Sequence, residues 1–526
     1  MSIFDRTADH LAAPLQPLLR LRLRLPEGLT PFLLAVVVGV IAGLGAVALT
    51  ESIKALDDLV LGDLAGALDD LAGGWTLILI PALAALPVAF LIQRFAREAK
   101  GHGVPEVMFA VETQGGRIRP RVPLVKALAS ALTIGFGGSA GREGPIVAIG
   151  AGFASTAARL TRQPPEMMRL MVAAGAAGGV AATFNAPIAG VFFALEVILR
   201  RFSVRNFTIV VASAVVANMI AIAFEGDKPG IELPQYELES AIEIGLYALL
   251  GLAAAGVGIA FLRVLYLTED IMESLPLSPY ARLLLGMLAV GALGLWHDEI
   301  FGVGFSVIED ASVGDVATGT IALLLLLKIL ATSFTLGGGA SGGVFAPSLF
   351  MGTMLGSLMG AGFNSLFSAG AIAPQGAYAV VGMAAVFAAA ARAPITSLFI
   401  VFEMTRDYSL ILPLMVGVAI ATALAQILTR DTIYSVKLKR LGVEISEEPA
   451  SSVMEQATAA ETMKTNVPLV AADTPLAELA GAISWSAGDV LAVTDEQGRF
   501  RGLLSSSDVM AALERTDSGL TAADLA

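Results

Sequence analysis

The chain lacks several residue types that soluble enzymes use for chemistry. Its 526 residues include no cysteine, which excludes disulfides and thiolate metal sites. Its three histidines, His10, His102 and His297, lie far apart in sequence, so a histidine metal centre is not expected. Only 15% of residues are charged, and the net charge of −13 is not a nucleic-acid-binding signature. With 56% hydrophobic residues and a mean hydropathy of +0.76, the composition indicates a membrane protein.

The hydrophobic segments begin near Pro31, recur to about Leu428 and fall into two kinds. Full-length spans are predicted at 32–49, 75–91, 207–223 and 242–262. Shorter segments, interrupted by Gly or Pro, lie at 104–111, 143–157, 187–199 and 344–358. Broken segments occur at membrane depth where protein or an aqueous cavity surrounds them. The pattern therefore predicts a transporter or channel core, not a bundle of uniform spans.

The loop charges predict the orientation in the membrane. Basic residues concentrate at the 1–30 segment, which we expect to be amphipathic, in the 94–100 loop and at 437–440. The loop from Glu51 to Asp70 instead holds six acidic residues against a single Lys54. By the positive-inside rule, both termini are predicted to be cytoplasmic.

A charged pair interrupts one of the most apolar stretches, in the sequence Gly141-Arg142-Glu143-Gly144-Pro145. An ionisable side chain at membrane depth marks an ion or proton pathway by default. The flanking glycines and proline predict a broken helix whose N-terminus, near Glu143, offers unpaired N–H groups to an anion. A carboxylate at that place would compete with the anion, so Glu143 is a candidate gate.

The two halves of the apolar region repeat. Ala186-Pro187-Ile188, followed by Phe192 and Glu196, reappears 207 residues later as Ala393-Pro394-Ile395, followed by Phe399 and Glu403. A Gly-rich break precedes each copy, at 137–145 and 337–347. Paired interruptions in corresponding halves indicate a binding site at the repeat interface. Three helix N-termini, at 101–106, 141–145 and 343–347, would converge there with the Tyr434 hydroxyl, and could hold an anion without a fixed cation.

These motifs resemble the CLC family of chloride channels and proton/chloride exchangers. The resemblance rests on Gly101–Glu106, Gly141–Pro145, Phe184–Glu196 and Gly343–Pro347, and covers roughly residues 30–440. It implies a homodimer with one pore per subunit, two inverted repeats of helices and an external gate at Glu143. It also implies an anion site lined by backbone near Gly144, Val344 and Phe345 and by the Tyr434 hydroxyl.

Two positions depart from the family pattern. His102 stands where members usually have serine; its imidazole either donates to an anion and responds to pH, or turns to the cytoplasm and caps the helix. Val197 stands where exchangers usually carry an inner glutamate, and valine cannot titrate. We therefore expect a passive, pH- and voltage-gated chloride channel, with H⁺/Cl⁻ exchange as the alternative.

The composition changes after Arg440. Residues 441–460 are linker-like, and 461–526 have a predicted βαββα order that resembles one CBS module, the first of an incomplete pair. Ser505 and Asp508 lie in a stretch similar to the ribose-contacting segment of nucleotide-binding CBS domains, so an adenine nucleotide is a candidate ligand. The alternative is a dimer-stabilising cap without a ligand.

The sequence thus predicts an all-α polytopic membrane domain over 31–440, with inverted repeats at about 31–224 and 240–430, and a small α+β cytoplasmic domain. No enzyme activity, metal or required cofactor is expected, because no nucleophile accompanies His102 and Glu143 stands nearly alone among helix N-termini. The expected partners are chloride or similar anions, protons that act on the gate, the lipid bilayer and a second copy of the chain. The expected location is a bacterial inner membrane.

Overall fold

The computed structural model divides the chain into two units, Met1–Ile445 and Ser446–Ala526. It describes residues 29–66, 75–231, 233–234, 236–368, 370–443, 458, 467–479, 490–505, 508–509, 512–513 and 520–525. The predicted amphipathic segment at 1–30 and the linker at 441–460 lie almost wholly outside these residues.

The first unit is helical, as its apolar segments predict. Its helices are α1 (Leu29–Asp57), α2 (Thr76–Phe95), α3 (Val104–Thr113), α4 (Arg121–Gly135), α5 (Glu143–Leu160), α6 (Pro165–Phe184), α7 (Pro187–Phe193), α8 (Val204–Glu225), α9 (Ile242–Ser274), α10 (Pro279–Gly294), α11 (Phe305–Val313), α12 (Thr318–Gly337), α13 (Phe345–Leu366), α14 (Gln375–Ala391), α15 (Pro394–Thr405), α16 (Ile411–Leu428) and α17 (Ser435–Arg440). Seven helical segments within the described residues are long and apolar enough to cross a membrane. The others are shorter or less apolar, so the prediction of full spans mixed with broken segments is confirmed.

Close helix packing depends on small residues at matching places in the two halves. A Cβ at Gly150 in α5 would collide with the carbonyl of Gly175 in α6. In the second half, a Cβ at Gly352 in α13 would collide with the carbonyl of Gly382 in α14. Within a membrane, helices associate where small residues let their backbones approach, so both pairs set the distance between broken helices and their neighbours.

Two glutamates join the halves by reciprocal helix caps. Glu196, in the π-helical turn Ala194–Leu199 that extends α7, accepts hydrogen bonds from the Ile395 and Thr396 amides at 3.1 and 2.8 Å. Glu403 in α15 accepts from the Ile188 and Ala189 amides at 3.0 and 2.7 Å. Each carboxylate therefore caps the N-terminus of the other helix, as antiparallel equivalents related by a twofold axis would. Phe192 and Phe399 stack between them, with ring centroids 5.0 Å apart.

A buried lysine holds an equivalent loop in each half. Lys126 in α4 donates to the carbonyls of Ala99 and Gly101, in the loop that leads into α3. Lys328 in α12 donates to the Ile300 and Gly302 carbonyls at 2.9 and 3.0 Å, in the loop that leads into α11. Both lysines are fully buried, and the bonds satisfy ammonium groups that would otherwise be costly to remove from water.

The second unit is a small α+β fold, as predicted. Strands β1 (Leu469–Ala471), β2 (Val490–Thr494) and β3 (Phe500–Ser505) form one sheet, with β1 parallel and β3 antiparallel to β2. The C-terminal segment, including the helical turn α18 (Ala522–Leu525), pairs with the chain after β1. Leu476 N donates to Leu520 O at 3.0 Å and Ala522 N to Thr474 O at 2.9 Å. One face of the sheet packs on a separate small core that includes Leu479, Leu491 and Ala522.

Candidate anion site

Two helix N-termini meet through the Gly-rich breaks of the two halves. Gly141, just before α5, and Gly343, just before α13, exchange backbone hydrogen bonds: Gly141 N donates to Gly343 O at 2.8 Å, and Gly343 N donates to Gly141 O at 2.6 Å. The breaks therefore form a short antiparallel bridge inside the protein. This bridge aligns the positive ends of α5 and α13 at one point.

The loop before α3 joins the same point. Gly101 N donates to Ala340 O at 2.9 Å, and Gly342 N donates to Gly101 O at 3.2 Å. Gly103 has φ +89°, and a Cβ there would collide with the Gly144 carbonyl. Only glycine combines this backbone angle with so close an approach. The structure thus brings together the three N-termini that the motifs predicted.

Glu143, the first residue of α5, extends its carboxylate to the N-terminus of α13. Its side chain is 1% exposed, and its Oε2 accepts a hydrogen bond from the Ala346 amide at 3.4 Å. Its other oxygen, Oε1, is buried without a hydrogen-bond partner among the described residues. The carboxylate thus occupies a position at which helix N–H groups would hold an anion. Its predicted role as the gate remains a prediction.

His102 and Tyr434 present polar atoms in the same interior. Both side chains are buried, and neither His102 Nδ1 nor the Tyr434 hydroxyl has a hydrogen-bond partner in the described part of the chain. Glu106 caps α3, since its Oε2 accepts a hydrogen bond from Gly103 N at 2.9 Å; anion binding and helix capping both stay predictions for His102. The unpaired imidazole and phenol are free to donate to an anion.

The remaining predicted anion-site residues surround the N-terminus of α13. Gly144 is the second residue of α5, and Val344 directly precedes α13 with 2% of its surface exposed. Phe345 packs among aromatic rings, with its centroid 3.8 Å from that of Phe387 and 5.1 Å from that of Phe184. These contacts fix the Phe345 side chain, while its backbone begins the helix.

Val197 and Glu196 lie side by side in the π-helical turn after α7. Val197 is buried and offers no titratable group. Glu196 is held by the α15 amides and by the Thr396 hydroxyl, which donates to its Oε2 at 2.6 Å. Three hydrogen bonds to one carboxylate favour a structural role for Glu196.

A cluster of charged residues around Glu269 was not predicted. Glu269 in α9 is 6% exposed and accepts from Lys437 Nζ at 2.6 Å and from Arg440 at 3.2 Å. One turn earlier, the Tyr266 ring lies edge-on to His102, with centroids 6.0 Å apart, so the cluster supports one wall of the site. In sequence these residues look like the charged end of a long apolar helix, and no motif joins them to 437–440.

Ser505 and Asp508 in the second unit hydrogen-bond to each other. The Ser505 hydroxyl donates to Asp508 Oδ2 at 2.5 Å, and Asp508 N donates back to Ser505 Oγ at 3.2 Å. The bonds from Ser505 hold the pKa of Asp508 below its usual value. This reciprocal pattern is that of a helix capping box, and a ribose would have to compete with it. Nucleotide binding stays a prediction.

No cluster of three or more metal-ligating His, Cys, Asp or Glu residues occurs among the described residues.

Comparisons with known proteins agree with the geometry. The profile of the family described as "Voltage gated chloride channel" matches residues 83–426. The chain is 34% identical over 441 residues to the "H(+)/Cl(-) exchange transporter ClcA" of Yersinia pseudotuberculosis, covering 82% of this chain and 91% of the relative. It is 35% identical over 429 residues to the protein of that name from Cronobacter sakazakii, covering 78% of this chain and 90% of the relative.

Solved structures share the fold. A slow cyanobacterial Cl⁻/H⁺ antiporter superposes with a TM-score of 0.73 at 26% identity, covering 79% of this chain and 98% of the antiporter. A eukaryotic CLC transporter superposes with a TM-score of 0.68 at 23% identity, covering 94% of this chain and 92% of its own. The second likeness shows the fold alone.

Proposed function

The chain belongs to the CLC family of chloride channels and proton/chloride exchangers, and from that premise we propose that it exchanges chloride for protons across a membrane. The observation that carries the proposal is the likeness to exchange transporters over about nine-tenths of their length. The helical architecture and the N-termini that meet around Glu143 support the same conclusion.

The expectation of a passive channel, drawn from Val197, is wrong. The relatives carry the name of exchange transporters, and the cyanobacterial neighbour is named an antiporter. The absence of a carboxylate at position 197 is a weak indicator, because protons reach a buried carboxylate along water chains as well as through side chains. In the proposed exchanger the inner proton route bypasses Val197.

In the proposed mechanism, Glu143 links the two fluxes by competing with chloride. The ionised carboxylate and the anion both need the N–H groups at the start of α13, so they cannot bind there together. Chloride entry therefore displaces the carboxylate, which then takes up a proton. Loss of that proton returns the carboxylate to the N–H groups and expels chloride, so each ion moves only when the other has exchanged.

Neutral donors hold the anion in this proposal. The helix N-termini, the Tyr434 hydroxyl and the His102 ring supply partial positive charge instead of a fixed ammonium or guanidinium group. Such a site binds an anion strongly enough to desolvate it and weakly enough to release it.

Purified protein in liposomes tests the exchange. With a chloride gradient directed outward and no proton gradient, coupled exchange drives protons inward, which a pH-sensitive dye in the external medium reports as alkalinisation. Adding a protonophore should collapse the pH change while chloride efflux continues. Chloride efflux without any proton movement would contradict the proposal.

The proposed oligomeric state, membrane and orientation are those that the family resemblance and the loop charges imply. The protein would be a homodimer in the inner membrane of a bacterium, with both termini in the cytoplasm. In this proposal the subunit contact lies beside the reciprocal caps, where the apolar side chains of Ile188 and Ile395 are exposed. Cross-linking of single cysteines introduced at these two positions, in a chain that has none of its own, tests the dimer.

A further inference from the structure

A cavity with a cationic lining lies beside the gate on the predicted outer side. It encloses about 300 Å³, and its charged lining residues are Lys54, Arg142, Lys228 and the single carboxylate Glu225. We propose that this cavity is a separate binding site that collects small inorganic anions, chloride among them, before they reach Glu143. The inference rests on the proposed anion transport and adds to it a separate entry site, to which Lys54, Glu225 and Lys228 contribute charges from outside the family motifs.

The cavity adjoins the anion site directly. Arg142 precedes Glu143 in sequence, and both stand at the start of α5. Phe184 also lines the cavity, and its ring contacts that of Phe345 at the first turn of α13, with centroids 5.1 Å apart. The cavity therefore shares Arg142 and Phe184 with the surroundings of the site at α13.

Arg142 has an unused hydrogen-bond donor. Its two terminal nitrogens make long bonds, at 3.3 Å to the Thr50 hydroxyl and 3.5 Å to the Thr183 carbonyl. Its Nε is buried without a partner among the described residues, and the Phe305 ring lies 5.6 Å from the guanidinium carbon. Among the described residues only these long bonds engage the Arg142 guanidinium, so its positive charge remains available to an anion in the cavity.

Lys228 adds a charge that no carboxylate neutralises. Its neighbour Asp227 pairs with Arg406, and Lys228 itself has no ion-pair partner among the residues that the structure describes. Asn185 holds this loop in place, because its Nδ2 donates to Lys228 O at 2.8 Å and to Asp227 Oδ1 at 3.1 Å. Lys54 contributes less, since it pairs with Glu51 at 2.9 Å.

The cavity contrasts with the charge around it. The predicted outer loops are acidic, and the whole chain carries a net charge of −13, which repels chloride at long range. A recessed cationic cavity beside Glu143 offsets this repulsion at the entrance to the anion site and raises the local anion concentration there. Because the interaction is Coulombic and open to solvent, salt must weaken it.

The test measures the external chloride concentration for half-maximal transport in oriented liposomes at about 10 mM ionic strength. Lys228→Gln should raise this value about two- to threefold, and Glu225→Gln should lower it by a similar factor, as expected for a unit charge several ångströms from the anion. Lys228→Arg should restore the wild-type value. An impermeant organic salt at about 0.3 M should remove the differences.

Arg159→Gln is the matched control, since Arg159 is exposed and lies about 24 Å along α5 from Glu143. It changes the net charge equally and should leave the half-saturation value unchanged. Normal transport with no shift in Lys228→Gln and Glu225→Gln, or an equal shift in Arg159→Gln, would overturn the collecting site. Absence of chloride transport in the wild-type protein would instead overturn the proposed function.

Discussion

At the scale of single residues, Glu143 combines properties that gating and proton transfer both require. It is buried, one carboxylate oxygen accepts a hydrogen bond from a helix amide, and the other has no hydrogen-bond partner among the described residues. A carboxylate with so few bonds is held less firmly than Glu196, which accepts three. The difference in bonding predicts which of the two side chains moves during transport.

Glu143→Gln should abolish proton coupling while chloride transport continues. The amide cannot carry a proton between the two sides, and as a neutral group it competes poorly with chloride for the N–H groups of α13. The measurement is the ratio of proton to chloride flux in liposomes, which should fall to near zero. A variant that still moves protons uphill would show that another group carries them.

His102→Ser should preserve transport but change its dependence on internal pH between about 5.5 and 7.5, where histidine can titrate. Burial and, to a smaller extent, the charges of Lys437, Lys126 and Lys100 act against an imidazolium at this position, so the ring titrates in this range only while a bound anion offsets them. Serine keeps a donor but removes the titration. His297→Ser, at a half-buried side chain beside Glu299, is the control, and an unchanged profile in His102→Ser would contradict a pH-sensing role.

At the scale of helices and loops, the reciprocal caps connect the two repeats into one body. The repeated Ala-Pro-Ile…Glu motif was visible in the sequence, but its purpose was not. Pattern alone cannot show that each glutamate caps the opposite helix, because this depends on two segments about 200 residues apart lying antiparallel. The caps explain why an acid recurs at membrane depth without lining the anion site.

Glu196→Gln and Glu403→Gln should each lower stability by about 1–2 kcal/mol and leave the proton-to-chloride ratio unchanged. Each replaces a charge-assisted cap by a weaker neutral one. Thermal unfolding in detergent and the flux ratio are the two measurements. Loss of coupling in Glu196→Gln alone would make Glu196 part of the proton route and contradict its structural role.

The broken helices were predictable, whereas the groups that support them were not. Glycine and proline predict where a chain stops being helical, so the N-termini at 101–106, 141–145 and 343–347 followed from the sequence. The Glu269 cluster and the loop-holding Lys126 and Lys328 did not, since a lone lysine in an apolar helix gives no sign of its partner. Those contacts arise only from tertiary packing.

At the scale of the whole molecule, the chain has two units with separate hydrophobic cores. The matched exchange transporters align with 78–82% of this chain, a length sufficient to include the membrane unit. Deletion of 446–526 should therefore leave coupled exchange intact in liposomes. Failure of the shortened chain to fold or to exchange would show that the membrane unit depends on the second one.

Whether chloride transport is coupled to protons could not be predicted from one position. Val197 suggested a channel because the absence of one acidic side chain was taken to mean that the whole proton route is absent. A route through a protein can also include water and backbone, which leave no mark in sequence. The anion side was predictable because helix N-termini bind anions through geometry that glycine and proline motifs encode.

The reversal potential under a proton gradient tests coupled exchange most directly. With symmetric chloride and a tenfold proton gradient, exchange of two chlorides for one proton shifts the potential by roughly one third of 59 mV, given 59 mV per tenfold gradient for one charge. The predicted result is such a shift in the wild-type protein and none in Glu143→Gln. A reversal potential of zero for the wild-type protein would contradict proton-coupled exchange.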